Sequence, residues 1–329
     1  MSQAFKDRTA FDENITEWDV SNVTNMESMF DGAVAFNQDI GAWNVSAVTN
    51  MRDMFKHASL FDQPVGNWDV SAVTSMRGMF YNAQSFNQII RDWNVSEVRT
   101  MEGMFSWATS YNQYIGDWNV SAVTSMQGTF VRADSFNQDL SKWDFSSVTH
   151  MGGILNSTPA LSNAHKGLLF SSNSNWPYDW SAHVPAPATL TNANFQTAVD
   201  LWCSDKATAF ATYGHIKDWN VTGVTNMEDA FKDKTTFDEN ITAWDVSNVT
   251  NMGSMFDGAS SFNQPIGDWN VSSVTNMASM FQNANVFNQP IGNWNTSAVR
   301  NMAGMFQYAS SFDQPIGDWN TSAVTNMAG

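Results

Sequence analysis

The stretch that decides the fold reads FNQPIGDWNVSSVTNMASMF over residues 262–281. Its tryptophan recurs every 25 residues in two series, at Trp18, Trp43, Trp68, Trp93, Trp118, Trp143, Trp219, Trp244, Trp269, Trp294 and Trp319. A fixed period of roughly 20–50 residues is typical of proteins built from stacked repeats. Each copy is therefore expected to form one coil of a solenoid, with the tryptophans as a buried structural ladder.

Within one copy, the spacing of apolar residues changes from that of a strand to that of a helix. Trp269 and Val271 are two residues apart, as on one face of a strand. Met277, Met280 and Phe281 follow the i, i+3, i+4 spacing of one helix face. The pattern predicts one short strand and one short helix per coil. Nearly all of the 19 methionines occupy the same repeat positions, so we expect them to pack in the core.

Comparison of the copies separates fixed positions from variable ones. The residue after each tryptophan is always Asp or Asn, as at Asp69 and Asn94, which predicts a hydrogen-bonded ladder between coils. The residue before it varies freely, which predicts an exposed strand face and a candidate binding surface. This face consists of Glu17, Ala42, Asn67, Asp92, Asp117, Lys142, Asp218, Ala243, Asp268, Asn293 and Asp318.

The repeat resembles that of the BspA-type leucine-rich-repeat family of surface proteins. The resemblance is carried by the Phe-Asn-Gln, Trp-Asn-Val-Ser and Val-Thr-Asn-Met segments and covers nearly all of residues 1–155 and 213–329. It implies a repeat solenoid with leucine-rich-repeat-like β/α coils of 25 residues in two stacked arrays. It also implies a strand-lined concave face that serves adhesion or protein interaction, and it supplies no catalytic residues.

Departures from the repeat indicate the domain organisation. Residues 1–183 are expected to form the first array, with 156–183 as its C-terminal cap, and the Pro/Ala-rich segment 184–190 is a predicted linker. The second array is expected over 191–329, with a cap helix in 191–212. Because 1–15 match 227–241 position for position and the last copy stops mid-repeat, we expect further copies of the array in a longer parent chain.

Composition limits the function. The formal net charge of −17, with only 15 basic residues, argues against binding to nucleic acid or to an anionic membrane. The sequence has neither an apolar run long enough for membrane insertion nor a catalytic signature, and the five histidines and Cys203 are not spaced as metal ligands. We therefore expect no enzyme activity and no cofactor.

These patterns predict a non-catalytic extracellular or cell-surface domain for adhesion and protein–protein interaction, whose partner is a host protein or another copy. A structural shaft or coat built from tandem arrays is the alternative. A binding face should carry exposed aromatic residues on neighbouring coils, whereas a shaft needs only polar side chains. Minor alternatives are calcium binding by the Asp/Asn column and carbohydrate binding by the aromatic residues Trp176, Tyr178 and Trp180.

Overall fold

The computed structural model describes residues 1–173, 176 and 178–328. It divides into two compact units, Met1–His183 and Val184–Gly329. In each unit, consecutive 25-residue coils are joined by single parallel bridges between equivalent residues, such as Asn50 with Ser75 and Asn251 with Asn276. The repeat period therefore corresponds to one coil of a stack.

The predicted strand occurs in the coil of Trp219, at Asn220–Gly223, and is wrong for the other described coils, because their pairing is confined to one bridging residue. The chain bends on both sides of that residue. Asn44 Oδ1 accepts the backbone N–H of Ser46 at 3.2 Å, and Asn50 Oδ1 accepts that of Arg52 at 3.0 Å. Such Asx turns compete with extended backbone for the same amide groups. The concave face expected from the resemblance is accordingly not lined by strands.

The predicted helix in each coil is also wrong, because the methionine segment forms a series of turns. Its backbone N–H groups alternate between two acceptors: Phe30 donates to Met54 of the next coil at 2.8 Å, and Ala33 donates to Phe30 of its own coil at 3.0 Å. Two residues per coil have positive φ, for example Ser28 at 52° and Gly32 at 75°, which a right-handed helix excludes. The segment is called the turn segment below.

The tryptophan ladder lies in the core. The ladder tryptophans from Trp43 to Trp294 are at most 5% exposed, whereas Trp18, in the first coil, is 42% exposed. Each buried ladder indole except that of Trp219 also donates its Nε1–H to a backbone carbonyl of the preceding coil, as from Trp93 to Val65 at 3.0 Å, whereas Trp219 donates to Gly214 at 3.1 Å. The ladder therefore contributes both apolar burial and one hydrogen bond per interface.

Methionine and phenylalanine fill the remainder of the core, as expected. Met26, Met29 and their equivalents in the middle coils are fully buried, and the rings of Phe55 and Phe80 in successive coils stack with centroids 5.6 Å apart. The i, i+3, i+4 spacing points inward in the turn segment just as it would in a helix.

The predicted ladder of Asp and Asn residues after tryptophan is wrong, because those side chains are exposed and bond locally. The polar ladder lies instead at the residue after phenylalanine. Asn87 N–H donates to Asp62 Oδ1 at 2.9 Å, and Asn112 N–H donates to Asn87 Oδ1 at the same distance. Gln88 adds a bond from Nε2 to the Asp62 carbonyl at 3.0 Å. These side chains link each coil to the one before it.

Helices occur only outside the coils. In the first unit, α1 (Asn163–Ser172) begins at Ser162, whose Oγ accepts the His165 N–H at 3.1 Å. It buries Leu168 and Leu169, and a 3-10 turn follows at Ser181–His183. Trp176 is 8% exposed and packs edge-on against Phe145 of the core, with ring centroids 5.5 Å apart.

The second unit begins with β1 (Thr189–Thr191), which pairs in parallel with β2 (Asn220–Gly223). The predicted linker at 184–190 is shorter than expected, since Leu190 is buried in this unit. The predicted single cap helix is two helices, α2 (Phe195–Ser204) and α3 (Lys206–Tyr213), because Asp205 ends the first and caps the second. A 3-10 turn at Ile216–Asp218 leads into the coils.

Candidate functional site: a groove across the turn segments

The predicted binding face before each tryptophan is exposed at all eleven positions. It has no aromatic side chain, so the expected feature of a binding face is absent there. The structure brings Asp117 and Lys142 of this column together in an ion pair of 2.9 Å, and Tyr114 donates its hydroxyl to Asp117 at 3.0 Å. Burial, and then the charge of Asp117, raises the pKa of Tyr114 well above its ordinary value. This cluster satisfies its own polar groups.

The exposed Trp107 and the half-buried Tyr81 lie instead on the turn segments of the first unit, where they border a groove of about 460 Å³. This volume lies within the range of roughly 300–1,000 Å³ typical of ligand sites. The groove, called the turn groove below, crosses four successive coils. It is lined by Arg52, Asp53, Lys56, Arg77, Gly78, Tyr81, Glu102, Gly103, Ser106, Trp107, Gln127, Gly128 and Val131.

The floor of the turn groove consists of glycines at one repeat position. Gly78, Gly103 and Gly128 all have φ near +60°. The preceding coil places Asp53 there with φ 52°, so glycine is not essential for the backbone conformation. What glycine adds is space, because it leaves no side chain on the floor. A Cβ added to Gly103 would lie 3.6 Å from Cδ2 of Tyr81, so that ring rests against the floor.

Each of the two aromatic rings beside this floor has a cation next to it, Lys56 from the lining of the groove and Arg132 from outside that lining. Lys56 Nζ lies 5.6 Å from the centroid of the Tyr81 ring, and the Arg132 guanidinium lies 4.7 Å from that of Trp107. Both distances allow cation–π attraction. Trp107 is nevertheless 39% exposed. The arrangement offers a ligand an aromatic surface that is fixed in place by charged neighbours.

Trp107 occupies an unfavourable backbone position. Its φ is +61°, in the left-handed region, and the equivalent residues of other coils share this conformation, from Gly32 and Asn82 to the larger His57 and Arg132. A bulky side chain in this region costs about 1–2 kcal/mol. Strain of this kind tends to be found at functional sites. Trp107 combines this backbone position with a ring that is 39% exposed at the edge of the turn groove, so the turn groove is the candidate site.

The turn groove is less acidic than the chain as a whole. Arg52 pairs with Asp53 at 3.2 Å and with Glu27, which lies outside the lining, at 3.8 Å. Arg77 pairs with Glu102 at 3.1 Å, and each arginine side chain is about half exposed. The lining itself carries three cations and two carboxylates against a chain net charge of −17. Such a surface favours acidic or amide-rich partners.

The aromatic residues proposed from sequence for carbohydrate binding are only partly available. Trp176 is buried against the core and is removed from that set. Tyr178 and Trp180 line a second pocket, of about 680 Å³, at the capped end of the first unit. Sequence reasoning did not anticipate that Arg132, Asp134, Asn156 and Lys166 would line the same pocket.

Within residues 1–173, 176 and 178–328, no group of three or more His, Cys, Asp or Glu side chains is placed to bind a metal ion. In the same part of the chain, every helix is too short or too polar to cross a membrane.

Comparison with solved structures finds weak likenesses. A leucine rich cell surface protein from Faecalibacterium prausnitzii A2-165 is 14% identical over 89% of this chain and 76% of its own, with a TM-score of 0.32. A TLR13–ssRNA13 complex is 10% identical over 92% of this chain and 43% of its own, with a TM-score of 0.18. Both TM-scores are too low to support an inference about fold or function. No curated protein matches the chain.

One family model does match, and it does so in overlapping copies. The model is described as "Mycoplasma protein of unknown function, DUF285", and it matches residues 1–88, 60–168, 196–296 and 266–329. These copies together cover 1–168 and 196–329, which include all eleven tryptophan coils and therefore agree with the tandem repeat of the structure. Because the matches span most of the sequence, the chain belongs to the DUF285 family.

Proposed function

We propose that this chain is a non-catalytic repeat domain, displayed outside the cell or on its surface, that binds a protein partner through the turn groove. The observation that carries the proposal is Trp107, an exposed aromatic residue in a strained conformation, with Tyr81 on the neighbouring coil. Exposed aromatics on adjacent coils are the feature expected of a binding face. Here one exposed and one half-buried aromatic residue lie on adjacent turn segments rather than beside the tryptophan ladder.

The residue types in the turn groove support a protein partner. Binding hot spots in protein interfaces are enriched in Trp, Tyr and Arg, all of which line this groove. The backbone of the turn segments is occupied in bonds between coils, so it offers no free strand edge for β-pairing. Recognition would therefore depend on side chains, with Trp107 and Tyr81 as anchors and Arg52, Lys56 and Arg77 selecting acidic partners.

The proposed location follows from the resemblance to BspA-type surface proteins and from the strongly acidic composition. The same resemblance underlies the proposed leucine-rich-repeat relationship and the organisation as two arrays with their own caps. Labelling of intact cells with an impermeant biotin reagent tests the location directly. Labelling only after cell lysis would contradict it.

The structural alternative is favoured only for the second unit. At the repeat positions that form the turn groove, this unit has polar residues such as Gln282, Asn283 and Gln307, with Tyr308 as an isolated aromatic. A face of this kind suits a spacer between binding regions.

The binding function can be tested with one substitution and its matched control. Trp107→Asn removes the anchor and relieves the backbone strain, since Asn82 occupies the same position in the preceding coil. Tyr308→Asn makes the equivalent change in the second unit, where Tyr308 is 69% exposed with φ +61°. Both variants should fold at least as stably as the wild type.

Beads coated with the whole chain would be mixed with cultured epithelial cells and with beads carrying the same chain. We expect adherence in at least one arm, loss of adherence with Trp107→Asn, and unchanged adherence with Tyr308→Asn. Trypsin treatment of the target surface should abolish it. Absence of adherence in both arms, or equal adherence by Trp107→Asn and wild type, would overturn the proposal.

A further inference from the structure

A second pocket in the first unit, called the cap pocket below, has a chemistry unlike that of the turn groove. It lies where the last coil meets α1 and the segment after it, and its volume is about 680 Å³. Its lining comes from both sides of this junction: Arg132, Asp134 and Asn156 from the coils, and Lys166, Tyr178 and Trp180 from the cap.

The aromatic side of the cap pocket is a supported pair of rings. Tyr178 and Trp180 stack with their centroids 5.7 Å apart and their planes 16° apart. Trp176 contacts both rings, at 5.8 Å and 5.2 Å, and itself packs on Phe145 of the core. The pair is therefore anchored through one buried residue, which reduces the entropy that a ligand must remove on binding.

The polar side of the cap pocket carries one excess positive charge. Arg132 is paired with Asp134 at 3.4 Å. Lys166, in α1, has no carboxylate oxygen within 4.0 Å among the residues that the structure describes. Asn156, Ser157 and Thr158 add an amide and two hydroxyls, and Thr158 Oγ1, which donates to the Leu155 carbonyl at 2.8 Å, can still accept a hydrogen bond.

A flat aromatic surface beside hydroxyl and amide groups suits a ring that is apolar on one face and carries hydroxyls at its edge, as a sugar is. The excess positive charge of the cap pocket, in a chain of net charge −17, favours a ligand that carries one negative charge. We propose that the cap pocket binds a carboxylated sugar, with the ring on Trp180, the carboxylate at Lys166 and Arg132, and the hydroxyls at Asn156 and Ser157.

The cap pocket shares one residue with the surroundings of the turn groove, because Arg132 lines this pocket and also lies over the Trp107 ring. The test therefore varies Lys166 and Trp180, which do not line the turn groove, and its probe is a small molecule. Glucuronate would be titrated into the whole chain by calorimetry and by tryptophan fluorescence, with glucose as the neutral match. We expect glucuronate to bind at least tenfold more tightly than glucose. Lys166→Gln should remove most of this preference, and Trp180→Leu should abolish binding of both sugars.

Lys142→Gln, an exposed lysine elsewhere in the same unit, is the matched control and should bind as the wild type does. A hyaluronan oligosaccharide, which contains glucuronate, tests whether the ligand is a free sugar or part of a polymer. If the oligosaccharide binds more tightly than free glucuronate, the cap pocket is a site for an acidic polysaccharide. Equal binding of glucuronate and glucose, binding of neither, or tighter binding of a glutamate peptide would overturn the proposal. Circular dichroism confirms that each variant is folded.

Discussion

Tyr111→Phe should stabilise the first unit. Tyr111 occupies a position that is phenylalanine in the neighbouring coils, and its ring stacks between Phe86 at 5.8 Å and Phe136 at 6.3 Å. The side chain is fully buried, and its hydroxyl finds no hydrogen-bond partner among the described residues. Burying a hydroxyl without a partner costs about 1–3 kcal/mol.

The substitution removes that cost and leaves a void the size of one hydroxyl, whose penalty at about 24 cal/mol per Å³ is much smaller. For a unit of this length, 1 kcal/mol corresponds to roughly 2–4 °C in melting temperature. Calorimetry should therefore show the first-unit transition of Tyr111→Phe raised by about 2–12 °C. Phe86→Tyr, the reverse change in the preceding coil, should lower it.

The difference should also depend on pH. Burial raises the pKa of Tyr111 well above its ordinary value of 10.0. Below pH 10 the phenol is neutral in both the folded and the unfolded chain. Above pH 10 the unfolded chain loses the phenol proton whereas the folded chain retains it, so the wild type loses stability as pH rises. The gap between Tyr111→Phe and wild type should widen above pH 10. An unchanged or lower melting temperature for Tyr111→Phe would refute the account of an unpaired buried hydroxyl.

Two further predictions concern the separate units. Trp93→Ala should destabilise the first unit by about 3–5 kcal/mol while the second unit melts as before. Trp93→Phe should cost less, because it mainly removes the indole bond to Val65. A shift of both melting transitions by the same amount would contradict independent units. His215, whose pKa is lowered to about 3 by burial and then by Lys217 and Lys206, should make the second unit lose stability as pH falls from 6.5 toward 3, because only the unfolded chain gains the proton. His215→Gln should flatten this acid dependence in urea unfolding measured at pH 7.5 and pH 5, and an equally steep loss in that variant would rule His215 out as its cause.

The coil period and its inward residues could be predicted because they depend only on spacing. Met26, Met29 and Phe30 point into the core in a turn segment as they would in a helix. The type of local structure could not be predicted, because its hydrogen bonds depend on the next coil. Neither Ser28 nor Trp107 is a residue type that signals positive φ. Tertiary pairing thus overrides local propensity.

The polar ladder shows a second limit. An Asp or Asn side chain accepts a bond within a local Asx turn in one column, as at Asn44, and a bond between coils in another, as at Asn87. The repeat pattern is the same in the two cases, so the sequence alone could not separate them. The turn groove could not be predicted for a related reason, since its shape depends on how the turn segments of four coils stack. The available signal was the aromatic residue Trp107, at a repeat position that is mostly small or polar in the other copies.

The bonds between coils have a direction. Turn-segment amides such as Phe30 N–H donate to the coil that follows, whereas the indoles and the Asn87 ladder donate to the coil that precedes. During synthesis, the indole and the ladder residue of a new coil can therefore bond at once to the completed coil before it. Its turn-segment N–H groups then remain available to donate to the coil that follows. Because every junction has the same pattern, a gene could gain or lose 75 bases at almost any point and encode a chain that still stacks. The turn groove would be altered by such a change, because its aromatic and glycine residues come from particular neighbouring coils. A gain or loss of one coil would thus leave the stacking intact, and it would reshape the groove only where it fell among the coils around Trp107.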